Sequence, residues 1–465
     1  MKVLINSLSH EGFGIGRHED GKIVFVPKTI IGEIVEIEIQ KENANFFQGV
    51  LKQIIKSSPD RIEAFCPFFT NCGGCDFQMI NYCKQLEWKE IIFKDILTRI
   101  GNFSDLSMAQ PIIGMKGECP QFYRNKIRFA FLKTGDNIQF SRHNRSNPQA
   151  DIVVDKCYLQ SERSNLLLQI LAEWAKLNCL SIFNDQTQQG FLKYVLIREG
   201  KQTSDLMIDI TTTATQIKNK LRDDLVSRLT NAKIITDKQK FLFSLFQTET
   251  AGASNSHIKL DHLHGSKFIT DRIGHCTFQI SHDSFFQTNS VMAETIYDTV
   301  VKFLEPKLTD IVWDLYCGTG TIGIYIARQV NKVLGIESCQ QAVDDARINA
   351  KLNQITNINF TCARVENIIP HSTFDIPHSI IADPPRAGLD EQTKQFILKS
   401  KIGKIVYVSC NPQTLARDLK DLTKDGTYQI IKIQPIDCFP HTHHIESVTL
   451  LQHDYTKDTD YRSMD

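Results

Sequence analysis

The sequence predicts a multidomain α/β protein: an OB-like β-barrel at the start, an α+β central region, and a doubly wound, Rossmann-like parallel sheet in the C-terminal part. Three observations carry this. The chain has 465 residues, too many for one ordinary core and enough for roughly two to four domains. From Phe285 onward, strand-like runs alternate with helix-like runs, the order that builds a parallel sheet with crossover helices. Before Asp60, short runs alternate apolar and polar side chains between glycine-rich turns, which suits a small barrel.

The N-terminal runs are VLINSL, GKIVFVP and EIVEIEIQK, separated at Gly12 to Gly16 and near Gly32. From about Gln78 to Ile100, Leu86, Ile91, Ile92, Ile96, Leu97 and Ile100 recur among Lys and Glu, the spacing of an amphipathic helix. Between about Pro111 and Gln279, the runs KIRFAFL, DIVVD, YVLIREG and LMIDIT read as strands and SERSNLLLQILAEWAKL as a helix, an α+β composition. The last part begins with helix AETIYDTVVKFL, strand IVWDLY, a glycine loop and a helix. It continues with strand KVLGIE, helix QQAVDDARINAKLN, and strands INFTC, SIIADPP and KIVYVSC.

Lys+Arg and Asp+Glu each total 53, so no global field steers the protein to a polyanion and any nucleic-acid contact must use local patches. No apolar run reaches about eighteen residues, and the start lacks a basic-then-apolar leader. A cytoplasmic protein without membrane association is therefore expected. The 13 cysteines, without a secretion leader, argue for a reducing compartment and against a disulfide framework. Some of them should carry chemistry.

Asp314 to Gly323 reads DLYCGTGTIG, with Gly318, Gly320 and Gly323 between a predicted strand and a helix, where missing side chains let a ligand approach the backbone. Alone, this pattern fits a bare turn or a dinucleotide site equally. Glu337 ends the next strand where an acid accepts hydrogen bonds from ribose hydroxyls, a feature of both nicotinamide and S-adenosylmethionine sites. Asp383-Pro384-Pro385-Arg386 separates the two, because the prolines fix a rigid corner at the carboxyl end of the sheet for which a nicotinamide enzyme has no need, with a plain structural turn as the alternative. Cys410 closes strand KIVYVSC on the same rim. A strand-end cysteine is usually packing, yet it also suits a nucleophile. Glu446, in IESVTLL, suits a general base. His441, His443 and His444 lack the spacing of a zinc pair and are expected at the surface or against RNA.

Taken in order, SFFQTN at Ser284 to Asn289, DLYCGTG, ADPPRAGLD, VSCNPQTLARDL and HIESVTLL resemble the RNA 5-methyluridine methyltransferases over nearly the whole chain. The resemblance implies a class I S-adenosylmethionine-dependent domain and a TRAM domain as the N-terminal barrel. It implies Cys410 as nucleophile toward uracil C6, since C5 takes a methyl group only after a thiolate has added, and Glu446 as acceptor of the C5 proton. Gln287, Tyr316, Gly318, Gly320, Glu337 and Asp383 would surround the cofactor, with Gln287 and Asp383 also at the uracil and Phe285 stacked on the flipped base. Where the family commonly places a small acidic stretch near the adenine, this chain has Ala363-Arg364-Val365-Glu366. The implied division is 1–59 for TRAM, 60–77 with 110–278 for a central iron-sulfur and RNA-binding domain, and 78–109 with 279–465 for the methyltransferase domain.

Cys66, Cys72 and Cys75 form C-x5-C-x2-C around Gly73-Gly74, and Cys157 resembles a distant fourth ligand. Four thiolates suit zinc or an iron-sulfur cluster alike. The first spacing excludes a radical S-adenosylmethionine motif. Resemblance to the ribosomal RNA enzymes implies a 4Fe-4S cluster, and with the TRAM-like barrel it points to 23S ribosomal RNA, with transfer RNA as the alternative. Arg124, Lys126, Arg128, Lys133, Arg142, His143 and Arg145, interleaved with Phe122, Tyr123 and Phe129, form the candidate RNA surface, with a solvated β face as the plain alternative. A monomer is expected. From other classes, an iron-sulfur nicotinamide oxidoreductase or an inactive RNA-binding module remains as a competing reading.

Overall fold

A computed structural model describes residues 1–143, 151–213, 216–234, 242–250, 257–368 and 376–457. Arg145 of the candidate RNA surface lies outside them. The N-terminal sheet contains β1 (Lys2–Leu4), β2 (Ser7–Leu8), β3 (Gly14–Arg17), β4 (Ile23–Val26), β5 (Ile34–Glu42) and β6 (Phe46–Lys56), in the order β1-β5-β6-β4-β3-β2. Period-two alternation turns Val24, Val26, Val35, Ile37 and Phe47 inward onto Val3 and Ile5, while Glu36 and Glu38 face water. Helix α1 (Tyr82–Arg99) follows, its first turn capped by the Asn81 side chain, which accepts from the Lys84 N–H at 2.8 Å.

The central sheet holds β7 (Lys126–Thr134), β8 (Asn137–His143), β9 (Asp151–Val153), β10 (Leu192–Glu199), β11 (Leu206–Thr213), β12 (Phe243–Thr250) and β13 (His257–Gly265), in the order β13-β12-β11-β10-β7-β8-β9. Its pairs are antiparallel except β11 with β12, which α3 (Asn219–Asn231) connects. Helix α2 (Glu162–Leu177) presses Leu167, Leu168, Leu171 and Trp174 onto Ile127, Phe129 and Phe131. The hairpin β14 (Phe268–Ile273) and β15 (Cys276–Ser281) then leads into the C-terminal part.

There α4 (Ser290–Leu304), β16 (Ile311–Leu315), α5 (Thr321–Ile326), β17 (Lys332–Glu337), α6 (Gln340–Leu352), β18 (Ile358–Cys362), α7 (Val365–Ile368), β19 (Ser379–Ala382), α8 (Glu391–Ser400), β20 (Lys404–Ser409) and α9 (Pro412–Thr423) alternate as expected. The sheet order is β18-β17-β16-β19-β20-β22-β21, with β21 (Tyr428–Ile436) and β22 (Glu446–His453) last in sequence. The first five strands are parallel. The sheet is not parallel throughout: β22 returns from β21 as a hairpin and slots antiparallel between β20 and β21. Pro435 is tolerated because β21 is the edge.

Chain order is broken at one place that matters for the site. α1, early in sequence, packs on α9 of the C-terminal part and joins its core through Trp88, Ile92, Phe93, Ile96 and Leu97. Lys89, wholly buried, pairs with the equally buried Asp437 at 2.6 Å and donates to the Phe439 and His444 carbonyls at 3.2 and 3.0 Å. The segment that leads to Glu446 is thereby pinned.

Candidate active site

The strand order reverses between β16 and β19, and the crevice beyond their carboxyl ends opens into a cavity of about 850 Å³. The sequence-selected Phe285, Gln287, Tyr316, Gly318, Glu337, Asp383, Cys410 and Glu446 all line it. Gly320 is the exception. Its φ of +77° begins α5, and a Cβ there would sit 2.7 Å from the Phe360 ring, so this glycine serves close helix-to-sheet packing. Ala363, Arg364, Val365 and Glu366 also line the cavity.

Backbone hydrogen bonds fix the cofactor side. Glu337 accepts from the Gly318 N–H at 3.1 Å on one carboxylate oxygen and from the Cys339 N–H at 2.8 Å on the other. Tyr316, held at φ +59°, donates its hydroxyl to Asp390 at 2.9 Å. Asp314, which the motif contained but which was not singled out, accepts from Gly323 N–H at 2.9 Å through one oxygen, while the other is buried without a hydrogen-bond partner. Burial first, then the charges of Asp383 and Glu337, push its carboxyl up to about 7.

Strand register sets the reactive side. Ser409 of β20 pairs with Ser447 of β22; one step further places Cys410 opposite Glu446, on the same face of an antiparallel pair. Cys410 is half-buried, and burial, then the Glu446 and Asp383 carboxylates, push its thiol up to about 12. Burial and then Asp383 push Glu446 up to about 8, and burial pushes Asp383 up to about 7. Arg386 opposes the rise at both Cys410 and Glu446. Its carbonyl accepts from the Asn411 side chain at 3.0 Å and from the Thr414 hydroxyl at 3.2 Å, tying the Pro-Pro corner to the turn after Cys410. Phe285 stands at the mouth, 68% exposed, a ring without a stacking partner among the described residues.

Arg124, expected on the RNA surface, and His444, a weaker candidate for the base, also line this crevice, entering from segments distant in the chain. The expectation of surface histidines is corrected at His441. It is 1% exposed, shares a hydrogen between its ring and the Pro120 carbonyl at 2.8 Å, and burial lowers its pKa to about 4. His443 pairs with Asp76 at 2.6 Å, and burial takes His444 down to about 3.

Cys66, Cys72, Cys75 and Cys157 line a second, small cavity. Burial pushes the Cys66 thiol up to about 11 and the Cys75 thiol up to about 12, with each other's neighbouring thiols adding to the rise. Arg124, Arg142 and Lys156 also line this cavity, and Lys28 donates to the carbonyls of Cys75 and Cys72. A set of soft thiol donors ringed by cations suits an anionic thiolate centre. Among the described residues, however, no three His, Cys, Asp or Glu side chains converge closely enough to hold a metal ion. No helix among them is long and apolar enough to cross a membrane.

Comparison with known proteins agrees with this geometry. The sequence model of the tRNA (uracil-5-)-methyltransferase family matches residues 82–454, and that of the TRAM domain matches residues 1–52. An uncharacterized RNA methyltransferase of Halalkalibacterium halodurans is 34% identical, over 97% of this chain and 96% of its own. One from Clostridium tetani is 32% identical, over 97% and 95%. The crystal structure of Pyrococcus abyssi tRNA (uracil-54, C5)-methyltransferase in complex with S-adenosyl-L-homocysteine superposes with a TM-score of 0.75 at 29% identity, over 97% of this chain and 99% of that one. A nicotinamide oxidoreductase and an inactive RNA-binding module both leave the Cys410–Glu446 pairing without a purpose. With its TRAM domain, its crevice at the strand reversal and its cysteine facing a carboxylate, the chain belongs to the tRNA (uracil-5-)-methyltransferase family and is an RNA uracil-C5 methyltransferase.

Proposed function

We propose that the enzyme transfers a methyl group from S-adenosylmethionine to C5 of a uridine in 23S ribosomal RNA, through a covalent bond between Cys410 and C6 of the uracil. The observation that carries this reading is the placement of Cys410 opposite Glu446, with Asp383 beside both, on the rim of one crevice. The methyl donor, when bound, supplies an electrophilic methyl group on a sulfonium cation. Glu337 would hold the ribose hydroxyls, and Gln287, Gly318, Tyr316 and Asp383 would frame the rest of that ligand.

In the empty crevice burial first, and then Glu446 and Asp383, keep Cys410 protonated; a cationic ligand beside the two carboxylates would offset the part that is repulsion. Cys410, its proton released to solvent, adds as thiolate to C6, and the electron pair displaced to C5 takes the methyl group as the bond from methyl to the donor's sulfur breaks and its electron pair returns to that sulfur, leaving a neutral thioether. Glu446 then removes the C5 proton, the C5–C6 double bond re-forms, and Cys410 leaves as thiolate. Phe285 stacks on the flipped ring and Gln287 hydrogen-bonds its edge.

The 23S assignment rests on the TRAM domain occurring together with the four cysteines. Transfer RNA is the second reading, favoured by the likeness to the Pyrococcus abyssi tRNA enzyme over 97% of the chain. Mapping 5-methyluridine by mass spectrometry in ribosomal and transfer RNA of a deletion strain tests both; loss from 23S RNA is expected, and loss from transfer RNA alone overturns the first. We assign the cysteine cavity to a 4Fe-4S cluster held by Cys66, Cys72, Cys75 and Cys157, a cluster being larger than a single ion and its thiolates correspondingly further apart. Such a centre supplies no electrons to methyl transfer, and its place is structural or in contact with RNA. We further take 60–77 with 110–278 as the central domain and 78–109 with 279–465 as the catalytic one, since α1 packs on α9. The enzyme acts as a monomer in the cytoplasm.

A further inference from the structure

Residues 281–290 join β15 to α4 and carry Phe285 and Gln287, yet between Asp283 and Asn289 they form no helix or strand of their own. Their course is imposed largely from the central sheet. Arg198, on β10 and 2% exposed, donates from Nη1 to the Ser281 carbonyl at 3.1 Å and from Nη2 to the Ser284 carbonyl at 2.9 Å. Asn125, just before β7, donates from its side chain to the Gln287 carbonyl and from its backbone to the Thr288 carbonyl, each at 2.8 Å. His282 sits between Asp283 at 2.7 Å and Asp209 of β11 at 3.3 Å. Ser290 donates to Asp271 at 2.6 Å.

Burying a guanidinium costs free energy that an apolar residue of similar volume would avoid. Arg198 donates to carbonyls three residues apart, one from each terminal nitrogen of a planar fork that holds the two in a fixed relative geometry. Position 198 is thus suited to holding a loop more than to filling a core. Resting on the reading that the crevice takes a uracil, we propose that Arg198 is a positioning residue which, with Asn125 and the His282–Asp209 pair, holds residues 281–290 so that Phe285 and Gln287 meet the target base. The central sheet, and not the methyl-donor fold alone, then sets the base pocket.

The test compares wild type, Arg198→Met, Arg198→Lys and Asn125→Ala. S-adenosyl-L-homocysteine affinity, by calorimetry, falls far less than activity, because of the residues expected around the cofactor only Gln287 lies on this segment; kcat/KM for RNA falls on the order of 100-fold in Arg198→Met, the cost of misplacing reacting groups by about an ångström. Arg198→Lys recovers part of this, and Asn125→Ala, which keeps Arg198, shows a smaller loss of the same kind. Wild-type kcat/KM in both Arg198→Met and Asn125→Ala refutes the positioning role, as does loss of homocysteine-ligand affinity in step with activity. Absence of 5-methyluridine with the wild type instead refutes the proposed reaction, and this inference with it.

Discussion

Replacing Glu446 by Gln should stabilise the ligand-free enzyme at alkaline pH while stopping its turnover. Burial, then Asp383, lifts the carboxyl from 4.5 to about 8. Between those values the folded protein holds a proton that the unfolded chain has released, so stability falls as pH rises. The contribution is fully present below 4.5 and is lost as pH passes through about 8. At about 1.4 kcal/mol per pH unit, the interval gives a ceiling of about 5 kcal/mol. Water in the open crevice reduces it, and about 2 kcal/mol is expected, or about 4–8 °C in the melting of a domain of this size. Gln is the shape of the protonated acid and does not titrate. Thermal melts at about pH 5 should therefore coincide, and at about pH 9 the variant should melt higher. Parallel curves, or a variant that melts lower at the alkaline end, would refute the reasoning. With RNA and methyl donor the same variant should accumulate a covalent RNA adduct, visible as a slow band on a denaturing gel.

Other perturbations probe separate parts of the structure. Cys410→Ala should abolish methylation and the adduct together, measured by transfer of labelled methyl groups; normal turnover would sink the covalent scheme. Gly320→Ala forces a Cβ to 2.7 Å from the Phe360 ring at φ +77° and should cost about 1–3 kcal/mol of stability in urea unfolding. Lys89→Met leaves the Asp437 carboxylate buried without its cation and should cost about 3–5 kcal/mol in the same measurement. Cys72→Ser, prepared without oxygen, should lose the brown colour and bound iron of the wild type; a colourless wild type with one zinc per chain contradicts the cluster.

The C-terminal sheet was legible because its central strands are buried on both faces, so IVWDLY and KIVYVSC read as nearly continuous apolar runs. The central sheet was half legible. β7, β10 and β11 stood out, whereas β12 buries Gln247, Thr248 and Thr250, whose polar atoms are satisfied by neighbours such as Thr212 at 2.7 Å. Such a strand reads as surface until its partners are known. In the active site, chemistry identified Cys410 and Glu446, but their proximity comes from the antiparallel insertion of β22, which the alternating strand-helix pattern did not announce. Arg124 and His444 were noticed in a basic run and a histidine cluster, but their place in the crevice was not legible, since each reaches it only through long-range packing. Gly320 shows the converse: a motif glycine whose place is dictated by Phe360.

The pairing of Lys89 with Asp437 spans 348 residues. A ribosome adding about 5–20 residues per second needs roughly 17–70 s to travel that far. Throughout synthesis of the central sheet and most of the catalytic one, α1 therefore carries Trp88, Ile92, Phe93, Ile96 and Leu97 before α9, which packs on them, has been made. A helix made early waits, apolar side outward, for a helix made late. A chain cut short before α9 leaves that face without the helix that covers it.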